Sequence, residues 1–306
     1  MEIKWLEDFI ALAHHKSFSR AADFRNLTQS GFSRRIQSLE NWVGAPLVDR
    51  STYPPTLSSA GLLFKDAAQV AIEGLTEARS LIRAQRRTPG VGMDIAAGHS
   101  IALDFIPKLL TELAVDRQAL SARVIATNGQ DALELLSTGN CELVMAYDHP
   151  ELPITLDPER YISIVVGKDI LAPVSLANEA GKSKYRLDHR SKASVPLLGY
   201  SASTFFGRCV QIALNARQKN KSFHLVYETD MAEILKRMVL QGHGMAWLPF
   251  SAVSDELSTG KLVPAGDADW WVDLTLKAYR DVNNRNAALE TLWTSLQKRN
   301  QTMQSR

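Results

Sequence analysis

The sequence predicts a mixed architecture: a small helical head with a two-stranded wing, one long helix, and a larger α/β half in two lobes. Three observations carry this. A chain of 306 residues exceeds one ordinary domain and fits two or three. Residues 58–87 read as one Ala-rich helix without proline, with Gly61 and Gly74 inside it. Residues 91–300 alternate short apolar strands with helices, the α/β pattern. Between the last two lies RRTPGVG (86–92), where Pro89 stops the helix and two glycines loosen the chain.

The composition narrows the class. Hydrophobic residues make up 45% and charged residues 22%, as in a soluble folded protein. Two cysteines, Cys141 and Cys209, do not make a disulfide scaffold; packed thiols and a cytoplasmic location are expected. No apolar run approaches the ~20 residues that span a bilayer, and the N-terminus, with Glu2, Glu7 and Asp8, lacks a secretory layout. Net charge is only +2, but residues 1–88 hold 12 Lys and Arg against 9 Asp and Glu, while the remainder holds 23 against 24. So weak an asymmetry leaves any nucleic-acid reading to rest on arrangement.

The head is the most specific segment. Trp5, Leu6, Phe9, Ile10 and Leu12 with Ala13 recur at helical spacing. Ser19 opens a short helix through Arg25 with Ala21, Ala22 and Phe24 inside, and Asn26-Leu27 makes a tight turn. Thr28 caps a third helix that runs to about Val43 and stops at Gly44. On it Phe32, Ile36, Leu39 and Val43 share one face, and Ser30, Ser33, Arg34 and Gln37 the opposite one. Exposed hydroxyls, amides and a guanidinium are what a helix lying in a major groove needs to read base edges, with the short preceding helix crossing the backbone. Leu47–Arg50, a loop at Ser51–Pro55 and Thr56-Leu57 form the wing. Thr28, Gln29, Ser30, Ser33, Arg34 and Gln37 are therefore candidates for base contact, and Arg35 and Arg50 for phosphate. The plain alternative is a solvated polar face on a small bundle.

In the long helix Phe64, Ala67, Ala71, Ala78 and Ile82 form a stripe that Leu63, Val70, Leu75 and Leu81 widen. Such a stripe must be buried against something, and a second copy of the chain is the natural candidate.

These residues carry a resemblance. FSRAADFRNLTQSGFSRRIQSLENWVGAPLVDR followed by PTLSSAGLLF resembles the winged helix-turn-helix of LysR-type transcriptional regulators, through Phe18, Ala21, Ala22, Thr28-Gln29, Ser33, Ile36, Leu39-Glu40, Gly44, Leu47, Arg50, Leu57 and Gly61. Gly31 departs from the alanine common there. The resemblance implies a winged head (1–58), a linker and dimerisation helix (59–88), and a periplasmic-binding-protein-like effector domain (91–306). In that domain lobe I is about 91–161 with 269–306 and lobe II about 162–268. It implies pairing through the linker helix and a tetramer of two dimers.

In the α/β half, strands are expected at Met93–Ala97, Ala122–Ala126, Glu142–Tyr147, Ile162–Val166, Ile170–Pro173, Pro196–Tyr200, Phe223–Tyr227, Gly244–Leu248 and Trp270–Tyr279. Helices are expected at Ser100–Leu113, Gln130–Ser137, from near Ser203, at Met231–Gln241 and at Arg285–Lys298. Ligands of such sheets sit beyond the strands' carboxyl ends, beside helix N-termini whose free N–H groups favour anions. The candidate effector cleft comprises His99, Ser100, Ile101, Tyr147, Asp148, His149, Ser201, Ser203, Thr204, Phe205, Thr229 and Met231, although any one hydroxyl there can equally be only a helix cap.

LVYETDMAEILKRMVLQGHGMAWLP, with GYSASTFFGR upstream, resembles the hypochlorite-responsive branch of the same family. That implies methionine oxidation as a sensing chemistry. Met231 matches one sensing position, whereas Phe206 stands where another methionine is expected.

Catalytic signatures are missing from the sequence. No Gly-x-Ser-x-Gly elbow surrounds Ser201 or Ser203, the histidines lack metal-site spacing, and Walker and Rossmann glycine patterns are absent. No catalytic residue, metal or cofactor is expected. The expected partners are double-stranded promoter DNA, further copies of the chain, a small-molecule or oxidant effector and RNA polymerase, with no membrane. The alternatives are a small-molecule-binding protein whose head serves assembly only, and a metabolic enzyme on the α/β half.

Overall fold

The computed structural model describes the chain except residues 26, 87–90, 116–120, 159, 188–193, 217–222 and 305–306. The expected Asn26 turn, the linker residues Pro89 and Gly90 and the Leu81 side chain lie outside the described residues. Two compact units emerge, Met1–Arg87 with Thr155–Arg160, and Thr88–Ile154 with Tyr161–Arg306.

The first unit contains α1 (Ile3–His15), α2 (Phe18–Phe24), α3 (Gln29–Val43), β1 (Val48–Asp49), β2 (Thr56–Leu57) and α4 (Ser59–Arg86). Ser17, rather than Ser19, caps α2 by accepting the Arg20 N–H. The Thr28 hydroxyl accepts the Gly31 N–H at 3.2 Å and opens α3. Gly44 closes α3 at φ 80°, a left-handed conformation that favours glycine. Leu6, Phe9, Leu12, Ala21, Ala22, Phe32, Ile36, Leu39 and Leu47 form the core, joined by Ala68 and Ile72 of α4.

Two buried carboxylates tie these elements together. Asp8 accepts Nε of Arg25 at 2.8 Å and Nη1 of Arg35 at 3.2 Å, so it links α1 to α3 and to the end of α2. Glu40 accepts the N–H groups of Leu47 and Val48 at 2.9 and 3.1 Å and Nη2 of Arg50 at 3.0 Å, fixing the wing to α3. Gly61 presses the start of α4 onto the wing, where an added Cβ would lie 2.0 Å from the Leu47 carbonyl oxygen.

The stripe expected on α4 divides into two faces. Phe64 packs 5.6 Å from Phe9, centroid to centroid, with Ala68 and Ile72 buried beside it. Leu63, Val70, Leu75 and Ile82 stay exposed, as do Ala67, Ala71 and Ala78. Phe64 therefore belongs to the head's own core and not to the face left for a partner.

The second unit runs β3 (Met93–Gly98), a π-helical turn (Ile101–Phe105), α5 (Ile106–Val115), β4 (Ala122–Thr127), α6 (Gly129–Ser137) and β5 (Leu143–Asp148). It continues with β6 (Tyr161–Leu176), β7 (Val195–Tyr200), α7 (Phe205–Ala216), β8 (Phe223–Thr229), α8 (Ala232–Leu240) and β9 (Ala246–Pro249). A 3-10 turn (Phe250–Val253), α9 (Ser254–Ser258), β10 (Leu262–Pro264), a second 3-10 turn (Ala268–Trp270), β11 (Val272–Asp281) and α10 (Ala287–Gln304) complete it. β4, β3 and β5 are parallel neighbours, and β11 and β6 extend their sheet antiparallel. On the far half of β6, Leu171–Val174 pair with β9 and Val174–Leu176 with β10. β7 and β8 pair in parallel, and β7 reaches the segment before β9 through an Leu197–Met245 bridge.

Sequence reading expected two short strands, Ile162–Val166 and Ile170–Pro173; the structure makes them one strand of 16 residues. Gly167 does not break it, because a bulge at Val166 absorbs the irregularity: Leu276 faces Gly167 and Lys277 faces Val165. β10 and α9 were also not anticipated. A single core cluster fills this unit, with Trp247 donating its Nε1–H to the Trp270 carbonyl at 2.9 Å.

Candidate functional site

On α3 the core face is shut: Phe32, Ile36 and Leu39 are fully buried. On the other side Thr28, Gln29, Ser30, Arg34 and Gln37 are exposed and Ser33 half-buried. Local bonds engage some of them. Thr28 caps the helix, Ser30 lies 3.3 Å from the Thr28 hydroxyl, and Gln37 donates to Asn41 at 3.3 Å. The arginines divide sharply. Arg35 is held on Asp8, and Arg50 on Glu40 with its guanidinium 5.4 Å from the Phe18 ring centroid. Arg34 is exposed, and among the described residues its guanidinium has no hydrogen-bond or ion-pair partner. At the wing tip, Tyr53 is fully exposed, an aromatic candidate that sequence reading passed over because a loop residue has no periodicity to mark it.

In the α/β half the structure gathers only part of the expected set. The Tyr147 hydroxyl donates to Asp169 Oδ2 at 2.7 Å, and Ser251 donates to the same oxygen at 2.5 Å. Burial and the Asp169 charge push the Tyr147 phenol well above its ordinary range. Phe206 stands between rings, 5.6 Å from Tyr147 and 5.4 Å from Tyr200, with Phe205 at 6.0 Å. Nearby, Asp104 of the π-helical turn faces Glu233 and Lys236 of α8, Lys108 of α5 and Asp169 of β6. Burial first, then the Glu233 charge, raises the Asp104 carboxyl to about 6.

Several other candidates make contacts within their own elements. Asp148 lies on the sheet face opposite Tyr147, where it pairs with Lys277 at 2.6 Å and accepts the Ile154 N–H at 3.1 Å. His149 Nδ1 accepts the Glu151 N–H at 3.2 Å within its own turn. Thr204 donates to the Ser201 carbonyl at 2.8 Å and accepts the Gly207 N–H at 3.0 Å, opening α7. The Thr229 hydroxyl lies 3.5 Å from the Met231 N–H. Ser100 and Ile101 are buried, His99 and Met231 are half-buried, and Ser203 is exposed. Asp104, Asp169, Glu233 and Ser251 were not among the expected residues, since each looks locally like an ordinary surface or core position, and Phe206 was marked only as standing in a methionine's place. Cys209 is a buried thiol raised to about 12 by burial, and it forms no disulfide with the buried Cys141.

Comparison with known proteins supports the reading of both halves. Residues 3–62 match the family described as bacterial regulatory helix-turn-helix protein, lysR family, and residues 93–301 match the LysR substrate binding domain. The chain is 29% identical over 298 residues to the HTH-type transcriptional regulator YjiE of Escherichia coli, covering 97% of this chain and 95% of that one. Among solved structures it is similar to DarR of Vibrio fischeri in complex with DNA, at 34% identity, TM-score 0.59 and coverage of 97% and 98% of the two chains. It is also similar to full-length HypT of Salmonella typhimurium, described as a hypochlorite-specific LysR-type transcriptional regulator, at 29% identity, TM-score 0.59 and 99% coverage of both. Among the described residues no helix is long and apolar enough to cross a membrane.

Proposed function

The chain belongs to the LysR family of bacterial helix-turn-helix regulators, DNA-binding transcriptional regulators with an effector-binding half, and on that premise we propose how this chain divides the work. Residues 1–58 bind promoter DNA, 59–88 pair two copies, and 91–306 hold an effector between lobe I (91–161 and 269–306) and lobe II (162–268). Thr28, Gln29, Ser30, Ser33, Arg34 and Gln37 face the major groove. Arg35 and Arg50, held by Asp8 and Glu40 with 30% and 46% of their side chains exposed, present fixed charges to phosphates. The protein acts in the cytoplasm as a tetramer of two dimers and contacts RNA polymerase at its promoters.

The observation that carries this reading is Arg34: the arginines at 25, 35 and 50 are anchored on carboxylates, Arg20 is exposed on α2, and Arg34 alone of the α3 and wing arginines stands uncommitted among the described residues, on the polar face of α3. A guanidinium in that place reads the O6 and N7 edge of guanine. The expected cleft residues His99, Ser100, Ile101, Tyr147, Phe205 and Met231 remain assigned to the effector site, with Tyr147 and Phe205 at its aromatic centre. Phe206 in that centre, where an oxidisable thioether would sit in a hypochlorite sensor, favours reversible ligand binding over oxidation as the signal.

The test is operator selection from a randomised duplex pool, followed by binding of the selected duplex to the wild type and Arg34→Ala. Substitution should cost about 1–3 kcal/mol and relax preference at one base position. Equal affinity with unchanged preference would remove α3 from the reading surface. A binding constant independent of salt would favour a head that serves assembly only, since phosphate contacts impose a steep salt slope.

A further inference from the structure

The effector cleft contains more negative charge than its own side chains satisfy. Asp104 Oδ2 and Glu233 Oε1 are buried with no hydrogen-bond partner, one from the turn after β3 and the other from the first turn of α8. Tyr200 is more than nine-tenths buried, its hydroxyl also has no partner, and it faces Glu233. Unpaired buried polar atoms are rare and costly in folded proteins. Here Asp104 and Tyr200 both lie within range of the Glu233 charge.

The surrounding charges do not resolve this. Lys236 is already engaged, by Glu256 at 2.9 Å and by the Ala252 carbonyl at 2.7 Å. Lys108 lies on the exposed side of α5. Asp169 adds a further carboxylate, satisfied by Tyr147 and Ser251. An anion approaching the start of α8 or the turn at Ile101–Phe105 meets Glu233 or Asp104, so the N–H groups expected to attract anions already have carboxylates beside them. A metal ion is also disfavoured, because among the described residues no group of three or more His, Cys, Asp or Glu side chains is placed to hold one. An organic cation fits. Its N–H groups satisfy two carboxylates and a phenol, and Tyr147, Phe206 and Tyr200 supply rings for an apolar body and for cation–π attraction.

We propose that the effector of this site is a small organic cation, an amine, amidine or guanidine with an apolar body, held between Asp104 and Glu233 against Tyr147, Tyr200 and Phe206. The proposal rests on the reading of the inter-lobe region as the effector site. Bound there, the cation joins a carboxylate of lobe I to one of lobe II and so favours the conformation in which the two are close.

The experiment is calorimetric titration of the full chain at constant ionic strength with three isosteric probes: benzamidine (cationic), benzamide (neutral) and benzoate (anionic). Benzamidine should bind at least tenfold more tightly than the other two at pH 7.5, roughly the value of one charge-assisted hydrogen bond. Glu233→Gln and Asp104→Asn should each weaken it by about tenfold. Wild-type binding should also weaken at pH 5, where Asp104, facing Glu233, Lys236, Lys108 and Asp169, carries a proton. Benzoate binding as well as benzamidine, no binding of benzamidine, or binding unchanged in Glu233→Gln would each overturn the proposal. The same wild-type preparation is assayed for operator binding. Intact DNA binding with a failed benzamidine titration sinks the cation alone, whereas loss of specific DNA binding sinks the regulator reading beneath it.

Discussion

Glu40 is buried and accepts two backbone N–H groups and a guanidinium, so its carboxylate holds together the reading helix and the wing. Glu40→Ala leaves the Leu47 and Val48 amides and Arg50 without that acceptor. It should destabilise the head by about 2–4 kcal/mol, seen as faster hydrogen–deuterium exchange at residues 47 and 48. Exchange at the wild-type rate would mean that water replaces the carboxylate at no cost. Asp104 shows the opposite logic. Its carboxyl titrates at about 6 when folded and near 3.8 when unexposed to burial and Glu233. Between those pH values the folded chain binds a proton that the unfolded chain lacks, so stability falls as pH rises through that window and is level above it. Asp104→Asn removes this dependence. Its melting temperature should exceed the wild type's at pH 7.5 and match it at pH 3.5, and a parallel pair of Tm–pH curves would refute the assignment.

Among the elements, α4 makes the boldest statement about assembly. Its inner face, Phe64, Ala68 and Ile72, is used by the head. Its outer face keeps Leu63, Val70, Leu75 and Ile82 in solvent. Leu63, Val70 and the alanines at 67, 71 and 78 repeat close to the spacing of a coiled-coil seam. Leu75→Lys should therefore lower the assembly state in sedimentation equilibrium while leaving the helical content intact. On a merely solvated face the same change is worth less than about 0.5 kcal/mol, and an unchanged mass would show that face to be unused. Periodicity made the helix itself legible but did not separate the faces, because Phe64 and Leu63 are adjacent in sequence and equally apolar. Only the packing of Phe64 on Phe9 tells them apart.

Across the whole molecule, legibility follows how local the cause is. The Thr28 cap, the Gly44 stop and the two faces of α3 depend on neighbours within a few turns, and the sequence displays them. The acidic and aromatic centre of the α/β half draws on residues 104, 147, 169, 200, 206, 233 and 251. No stretch of the chain marks them as companions; the sheet order brings them together. Asp148 shows the converse, sitting beside Tyr147 in sequence yet committed to Lys277 on the opposite sheet face. The same sheet order has a mechanical corollary. β6 and β11 run edge to edge from Tyr161 and Asp281 to Leu171 and Val272 as one hydrogen-bonded ribbon, and β6 continues on to Leu176. Such a ribbon carries the right-handed twist of paired strands along its length. A change of twist at one end would thus be passed lengthwise along two strands, and the bulge at Val166 is the place where their pairing is already out of step.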